Sequence, residues 1–204
     1  MRTVAAVQDE SMSQATQTAL IIIDAQESFR QRSDDWAATA NPRVLENIAE
    51  LVEHARRIGD LIVWVTHAEP GTGGVFDPAS GFVRVVDELE PHDGEVRIMK
   101  TSINSFTTTN LQQQLTTRGV RRLVICGIRT EQCCETTARV ASDLGFEVEF
   151  VIDATTTSGI KAGDGYGAVS GEDLMRRTES ILGGRGFATI TTTAERIGTA
   201  TATV

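Results

Sequence analysis

The sequence predicts an α/β fold in which helices cover both faces of a parallel sheet, and three observations support the prediction. Short apolar runs recur along the chain, among them ALIIID at 19–24 and LIVWVT at 61–66, as in strands buried on both faces. Segments with apolar residues at helical spacing separate these runs. Glycines stand where several of those helices would end. Strands alternating with helices imply right-handed crossovers and a parallel sheet.

The first half of the chain contains three of the predicted strands. Strand 19–24 is followed by a helix that Asn41-Pro42 would open and that Gly59 would end. Strand 61–66 comes next, and the loop 67–94 follows, rich in glycine and with little periodicity apart from a short helical stretch near 83–89. Long loops in compact domains are often functional. The run VRIMK at 96–100 is the third strand.

The second half repeats the alternation. The pattern of apolar residues there predicts helix 109–118, strand 122–126, helix 131–144 and strand 147–152. A Thr/Gly/Ser-rich stretch at 155–171, which looks mobile and is a candidate lid or subunit contact, precedes a helix that Ser170 and Asp173 would cap. FATIT at 187–191 is a last strand. We therefore predict one domain at 19–191, a flexible N-terminal tail at 1–18 and a C-terminal tail at 192–204.

Composition narrows the classes of function. The chain has 204 residues, 40% of them hydrophobic, and a net charge of −9, so it would repel nucleic acid and anionic membranes. Its three cysteines form no disulfide framework, and no apolar run approaches the roughly 20 residues of a membrane span. We expect a cytoplasmic protein. The three histidines are scattered and form no metal-binding pair, so neither a metal nor another cofactor is expected.

Reactive side chains follow several of the predicted strands. Asp24 ends the first strand, His67 and Lys100 end the next two, Cys133 lies just after the fourth, and Asp153 follows the fifth. Ligands of such sheets bind beyond the carboxyl ends of the strands, so these residues should converge. An acid, a lysine and a thiol are what a thiol hydrolase needs.

Cys133 is the candidate nucleophile. It would lie in the first turn of a helix, where free N–H groups and a nearby Lys100 would lower the pKa of its thiol. Each residue also has an ordinary interpretation. A buried cysteine is commonly a core residue, as we expect of Cys126 inside its apolar run, Asp24 could cap a turn, and Lys100 could be a solvated charge. Spacing alone leaves these alternatives open.

Three segments together resemble the isochorismatase-like cysteine hydrolases, and the likeness runs roughly from Ala19 to Ile190. IIIDAQESF at 21–29 is similar to that family's first-strand motif, KTSINSF at 100–106 to its lysine motif, and GIRTEQCCETTAR at 127–139 to its nucleophile motif. The resemblance implies a doubly wound three-layer sandwich with a six-stranded parallel sheet. It also implies a homodimer or homotetramer.

The resemblance assigns roles to individual residues. Asp24 would be the acid, Lys100 the lysine and Cys133 the nucleophile, with Cys134 a neighbour. A cis peptide between Ile128 and Arg129 would help to form the oxyanion hole. Family members that cleave vinyl ethers lack the cysteine, so its presence implies cleavage of a C–N bond in a small amide, ureido or lactam compound. The alternatives are a vinyl-ether hydrolase and a redox-sensing or scaffold protein of the same fold.

Three residues are candidates for binding the substrate. Phe29 could form an apolar wall of the pocket, or simply pack in the core. His67 could hydrogen-bond to the substrate, or have a structural role. Arg129 could pair with a substrate carboxylate, or point to water as most arginines do.

Overall fold

A computed structural model describes residues 17–198 and contains a single sheet of six parallel strands. The strands are ordered β3-β2-β1-β4-β5-β6, so the chain winds outward from β1 in one direction and from β4 in the other. The predicted six-stranded, doubly wound sheet is confirmed. The strands are β1 (Thr18–Ile23), β2 (Leu61–His67), β3 (Val96–Lys100), β4 (Arg122–Ile128), β5 (Glu147–Thr156) and β6 (Thr189–Thr191).

Helices cover both faces of this sheet. The α-helices are α1 (Glu27–Arg30), α2 (Ser33–Ala37), α3 (Val44–Ile58), α4 (Leu111–Thr116), α5 (Glu135–Asp143), α6 (Gly171–Gly184) and α7 (Thr193–Ile197). Short 3-10 helices at Pro78–Ser80 and Asp87–Leu89 lie in the long loop, and the second confirms part of the helical stretch predicted there. Between residues 17 and 198, none of the helices is long and apolar enough to cross a membrane.

The core consists of two layers, one on each face of the sheet. Alternate residues of β1 point to opposite layers: Ile21 and Ile23 pack with residues of α4, α5 and α6, whereas Leu20 and Ile22 pack against α3. Both sides of this strand are therefore buried, which explains its unbroken apolar sequence. The central strands β1 and β4 lie between the two layers, and their carboxyl ends lie side by side at one edge of the sheet.

The start of two helices differs from the prediction. Helix α3 begins at Val44 rather than at Asn41-Pro42; the Asn41 amide instead donates to the carbonyls of Asp153 and Thr155, and its oxygen accepts the Arg43 N–H. The predicted helix 131–144 begins as a single π-helical turn, Thr130–Cys134, before α5. Cys133 therefore lies in a widened turn and not in the first turn of an α-helix.

The last part of the chain also differs from the sequence-based expectation. Strand β5 continues to Thr156, with an irregularity in its pairing to β4 beyond Ile125. Residues 193–197, expected within a tail, form α7, whose capping box joins Thr192 and Glu195. Helix α7 packs on α3 and β5. Most of the predicted N-terminal tail and the segment 199–204 lie outside the described residues.

Gly127 sets the distance between the two central strands at the edge where the predicted site lies. It pairs with Ile23 and has a φ of +128°, in the range that favours glycine. A Cβ atom at this position would stand 1.9 Å from the Ile23 carbonyl oxygen. The glycine therefore lets the turn after β4 approach the residue that follows β1, which is Asp24.

Candidate active site

Lys100 is the centre of a buried polar cluster at the carboxyl edge of the sheet. Its Nζ lies 2.7 Å from Asp24 Oδ2 and 3.3 Å from Cys133 Sγ. It also donates to the Ser102 carbonyl at 3.2 Å and lies 3.5 Å from His67 Nδ1. Asp24 and Lys100 have no exposed surface, and Cys133 retains 6%. The structure thus brings together the acid, lysine and thiol that the sequence placed at separate strand ends.

The sheet order explains why a lysine serves as the connecting residue. Lys100 ends β3, and β2 lies between β3 and β1, which Asp24 follows. Neighbouring strands are about 4.8 Å apart, so roughly 10 Å of backbone separation must be bridged. A long side chain lying along the strand ends can cover that distance, and it places the ammonium between the carboxylate and the thiol.

Gln26 fixes the backbone beside Asp24 and is a residue to which sequence reasoning assigned no role. Its side-chain oxygen accepts the His67 N–H at 2.7 Å, and its amide donates to the His67 carbonyl at 3.0 Å and to Ser28 Oγ. The side chain thereby continues the β1–β2 pairing by one step. Asp24 itself has a φ of +52°, which is uncommon for a residue other than glycine. The sequence signal was a glutamine directly following a buried strand.

The π-helical turn presents one cysteine to the cluster and turns the other away. The Arg129 carbonyl accepts N–H groups from both Gln132 and Cys134, at 3.3 Å and 3.2 Å. Thr130 Oγ1 donates to Thr155 Oγ1 at 2.9 Å and anchors the start of the turn to β5. Cys133 Sγ meets Lys100, whereas Cys134 is fully buried in the core layer. The peptide bond between Ile128 and Arg129 is cis.

A second link joins the lysine segment to helix α5. The Ser105 N–H donates to Thr137 Oγ1 at 3.1 Å, and the two hydroxyl groups lie 3.2 Å apart; both residues are fully buried. Buried polar groups need such partners, so this contact fixes the loop after Lys100 relative to the nucleophile turn. Both residues lie within the quoted motifs, yet nothing in their spacing predicted the contact.

Burial determines the protonation of the cluster. Burial, together with the negative charge of Asp24, raises the pKa of Cys133 to about 12, and Lys100 only partly opposes this. Burial also raises the pKa of Asp24 against the opposing effect of Lys100. Burial alone would lower the pKa of Lys100, but Asp24 and Cys133 raise it above its usual value. The expectation that the thiol would have a lowered pKa is therefore wrong for this state of the protein: Cys133 is a neutral thiol at pH 7.

Aromatic rings extend from the cluster toward the surface. The His67 ring meets Phe76 edge to face at 5.7 Å between centroids, and Phe76 meets Phe29 in the same manner at 5.1 Å. Phe29, Phe76 and Ile128 form a small buried apolar group. The structure therefore places Phe29 and His67 in one line of ring contacts that ends at Lys100.

The side chains of two predicted polar residues have partners outside the Lys100 cluster. The Arg129 guanidinium lies 3.1 Å from Asp35 Oδ2 and hydrogen-bonds to Ser158 Oγ, so it neither points to water nor is free. Asp153 does not join the cluster: its carboxylate accepts the N–H and hydroxyl of Thr193 at the start of α7. Within residues 17–198 no group of three or more His, Cys, Asp or Glu side chains is placed to hold a metal ion.

The sequence model described as "Isochorismatase domain" matches residues 18–169, three quarters of the chain. This chain belongs to the isochorismatase family of hydrolases. An uncharacterized isochorismatase family protein of Bacillus subtilis, YrdC, is 32% identical over 143 residues, which cover 70% of this chain and 75% of that protein.

Two further relatives have names that state an activity. The ureidoacrylate amidohydrolase RutB of Klebsiella pneumoniae is 29% identical over 184 residues, covering 74% of this chain and 78% of that protein. A streptothricin hydrolase of Streptomyces noursei is 34% identical over 149 residues, covering 72% of this chain and 57% of that protein.

Among solved structures, a cysteine hydrolase from Pseudomonas syringae pv. phaseolicola is similar over nearly the whole chain. The TM-score is 0.82 with 25% sequence identity, and the match covers 92% of this chain and 93% of that one. This chain therefore shares its fold with that structure well beyond the segment 18–169 that the family model matches.

Proposed function

We propose that this isochorismatase-family hydrolase is a cysteine-dependent enzyme that cleaves a C–N bond of a small amide, ureido or lactam compound through a thioester. The observation that carries the proposal is the position of Lys100 Nζ, 2.7 Å from Asp24 and 3.3 Å from Cys133. Base, cation and nucleophile thus contact one another in a buried site. The names of RutB and streptothricin hydrolase, an amidohydrolase and a hydrolase, agree with this class of reaction.

In the first step, Asp24 removes the Cys133 proton as sulfur attacks the carbonyl carbon. The ion pair with Lys100, at 2.7 Å, favours the carboxylate form of Asp24 against the opposing effect of burial, and burial keeps Cys133 protonated. The resting pair in this mechanism is therefore a carboxylate and a neutral thiol. Formation of the C–S bond places negative charge on the carbonyl oxygen. Backbone N–H groups of Arg129 and Cys133 are the proposed donors to this oxyanion, at the turn that joins Ile128 to the nucleophile.

In the second step, the tetrahedral intermediate collapses. The C–N bond breaks, and the protonated Asp24 gives its proton to the departing nitrogen, so that an amine or ammonia leaves and a thioester remains. Asp24, again a carboxylate, removes a proton from water as the water attacks the thioester. The C–S bond then breaks, the product acid leaves, and Cys133 regains the proton.

Two alternative functions, a vinyl-ether hydrolase and a redox sensor, are less well supported by the positions of the two cysteines. A vinyl-ether hydrolase needs no nucleophilic thiol, so the placement of Cys133 against Lys100 favours amide cleavage. A sensor based on the vicinal thiols would need Cys134 accessible to an oxidant, but this residue has no exposed surface. From the family resemblance we further propose a homodimer or homotetramer, and from the three free cysteines a cytoplasmic location.

The neighbouring cysteines offer a matched test. Purified wild type, Cys133→Ala and Cys134→Ala would be screened against small amides, ureido acids and lactams for release of ammonia or amine. We expect the first substitution to abolish hydrolysis, by about 1,000-fold or more, because it removes the attacking sulfur. The second should retain most of the activity because Cys134 faces the core.

Hydrolysis that survives in Cys133→Ala would contradict the mechanism. If both variants lose activity, circular dichroism and thermal unfolding would show whether each one is folded. Only a folded Cys133→Ala protein without activity supports the role of the thiol. A wild-type protein that cleaves vinyl ethers but no C–N bond would establish the alternative.

A further inference from the structure

Arg129 has a built set of partners close to the reaction centre. Its guanidinium contacts Asp35 of α2 at 3.1 Å, hydrogen-bonds to Ser158 beyond β5, and lies 5.6 Å from the centre of the Phe29 ring. Only 14% of the side chain is exposed. An arginine at the surface of a protein with net charge −9 would usually extend into water, whereas this one is fixed on three sides.

The position of this arginine connects it with the proposed pocket. Its ring partner Phe29 meets Phe76, which meets His67, which lies 3.5 Å from Lys100. A substrate whose carbonyl lies at Cys133 and whose other end follows these rings would reach Arg129. The inference that follows deepens the proposed function and rests on it.

We propose that Asp35 neutralises Arg129, so that this wall of the pocket accepts an uncharged part of the substrate and disfavours a carboxylate. An unpaired arginine beside an aromatic wall would attract carboxylate-bearing substrates, because guanidinium binds carboxylates by two parallel hydrogen bonds. Here Asp35 already pairs with the guanidinium, through a single contact of 3.1 Å between its Oδ2 and Arg129 Nη2. The substrate class is accordingly an amide, ureide or lactam whose far end is neutral.

A small cavity adjoins the ion pair. It has a volume of about 20 Å³, is lined by Phe29, Asp35, Trp36, Ile128, Arg129 and Ser158, and holds about one water molecule. The discrimination therefore comes from charge and not from the size of this space. In this proposal Asp35 acts on the substrate through Arg129, as a positioning residue that sets specificity.

A second arginine lies near the same rings and does not change the comparison. Arg32 is exposed and lies 4.8 Å from the centre of the Phe76 ring. It is untouched by substitutions at Asp35, so its attraction for anions is the same in every variant. The loop itself should remain folded without the ion pair, since the Ala40 N–H also donates to the Thr157 carbonyl at 2.9 Å.

Two alkylating reagents of nearly equal size test the charge of this wall without requiring turnover. Iodoacetamide is neutral and iodoacetate is anionic, and both modify Cys133, which peptide mass spectrometry distinguishes from the other two cysteines. The measured quantity is the ratio of the iodoacetate rate to the iodoacetamide rate. We expect Asp35→Asn to raise this ratio about fivefold, because it uncovers one positive charge within reach of the reagent.

Two further variants separate charge from damage to the fold. Asp35→Asn/Arg129→Gln should return the ratio to that of the wild type. Asp34→Asn, which removes a charge from an exposed position of the same helix, should leave it unchanged. A purely structural role of Asp35 would change both rates equally and leave the ratio as it was.

The outcomes are distinct from those of the cysteine test. An unchanged ratio in Asp35→Asn, a shift that persists in the double variant, or failure of both reagents to reach Cys133 would overturn the inference. If the wild type cleaves no amide but the ratio shifts as expected, the proposed function fails while the neutralisation of Arg129 stands. With an active enzyme, Asp35→Asn should also lower KM for succinamate relative to succinamide, with little change in kcat.

Discussion

Asp24 and Asp153 have the same sequence pattern but differ in burial and in hydrogen-bond partners. Each follows a buried strand, and each was predicted to lie at the reactive edge of the sheet. The carboxylate of Asp153 accepts two hydrogen bonds from Thr193 and starts α7. Asp24 is fully buried, and beyond Lys100 and the thiol of Cys133 its carboxylate has no hydrogen-bond partner among residues 17–198.

The difference shows what separates a structural acid from a reactive one. A carboxylate that accepts a backbone N–H and a hydroxyl, as Asp153 does through Oδ1, stabilises the fold at that place. A carboxylate kept from water, with a single cation beside it, has a raised pKa and can exchange a proton. Strand position alone did not distinguish the two residues; their hydrogen-bond partners do.

Exchanging each acid for its amide tests the comparison most directly. Asp24→Asn should reduce hydrolysis by about 1,000-fold, because the amide cannot accept the Cys133 proton. Asp153→Asn should change it by less than about twofold, since Asp153 lies at α7. Steady-state rates of ammonia release from one substrate provide the measurement. Equal losses in the two variants would show that the distinction drawn here is false.

Removing the positive charge of Lys100 should destabilise the protein. Lys100→Met leaves a buried carboxylate without its ion pair, and we expect the free energy of unfolding to fall by about 3–5 kcal/mol. The double variant Lys100→Met/Asp24→Asn should recover part of that loss because it removes the uncompensated charge. Urea unfolding followed by circular dichroism measures both. A single variant as stable as the wild type would mean that the lysine does not compensate the acid.

The raised pKa of the Cys133 thiol, which lies beside Asp24, predicts a loss of stability in alkali. The pKa of Cys133 is about 12 in the folded protein and near 8.5 in an unfolded chain. A group whose pKa is raised by folding stabilises the protein below the unfolded value, and this contribution is lost as the pH rises toward 12. Cys126 and Cys134, also buried, have raised pKa values and act in the same direction.

Urea unfolding at pH 8 and pH 10 isolates the contribution of Cys133. Between these values the wild type should lose about 1–2 kcal/mol more unfolding free energy than Cys133→Ala, which lacks the titrating group. Identical pH dependence in the two proteins would mean that Cys133 titrates as in an unfolded chain.

An effect of similar size is expected at Asp153, the structural acid. Asp153→Ala removes two hydrogen bonds at the start of α7 and should lower the free energy of unfolding by about 1–2 kcal/mol. Hydrolysis at saturating substrate should remain as in the wild type. A large fall in kcat, with the fold intact, would place Asp153 nearer the chemistry than its contacts indicate.

Much of the fold could be predicted because its signals are local. Apolar runs such as 19–24 mark strands that are buried on both faces, and the glycine at 59 ends α3 in the left-handed conformation. The three motifs likewise placed Asp24, Lys100 and Cys133 at strand ends, and their meeting followed from the parallel order of the sheet.

What could not be predicted depends on partners distant in sequence. The irregular pairing of β5 with β4, which precedes Asp153, arises from the fit of two strands, and α7 is stabilised by α3 and β5 rather than by its own five residues. The pairing of Arg129 with Asp35 links positions 94 residues apart. The direction of the pKa change at Cys133 depended on burial, which overcame the lysine that the sequence had identified correctly.

The close approach at Gly127 limits how this protein can change. Because the gap between the acid and the nucleophile turn is closed by main chain alone, no side chain at this position can be varied to adjust it. Evolution or design of a new selectivity must therefore work through the segments that surround the rings, residues 25–41 and 67–94. The positions of the acid and the nucleophile would then stay the same while the residues around the substrate change.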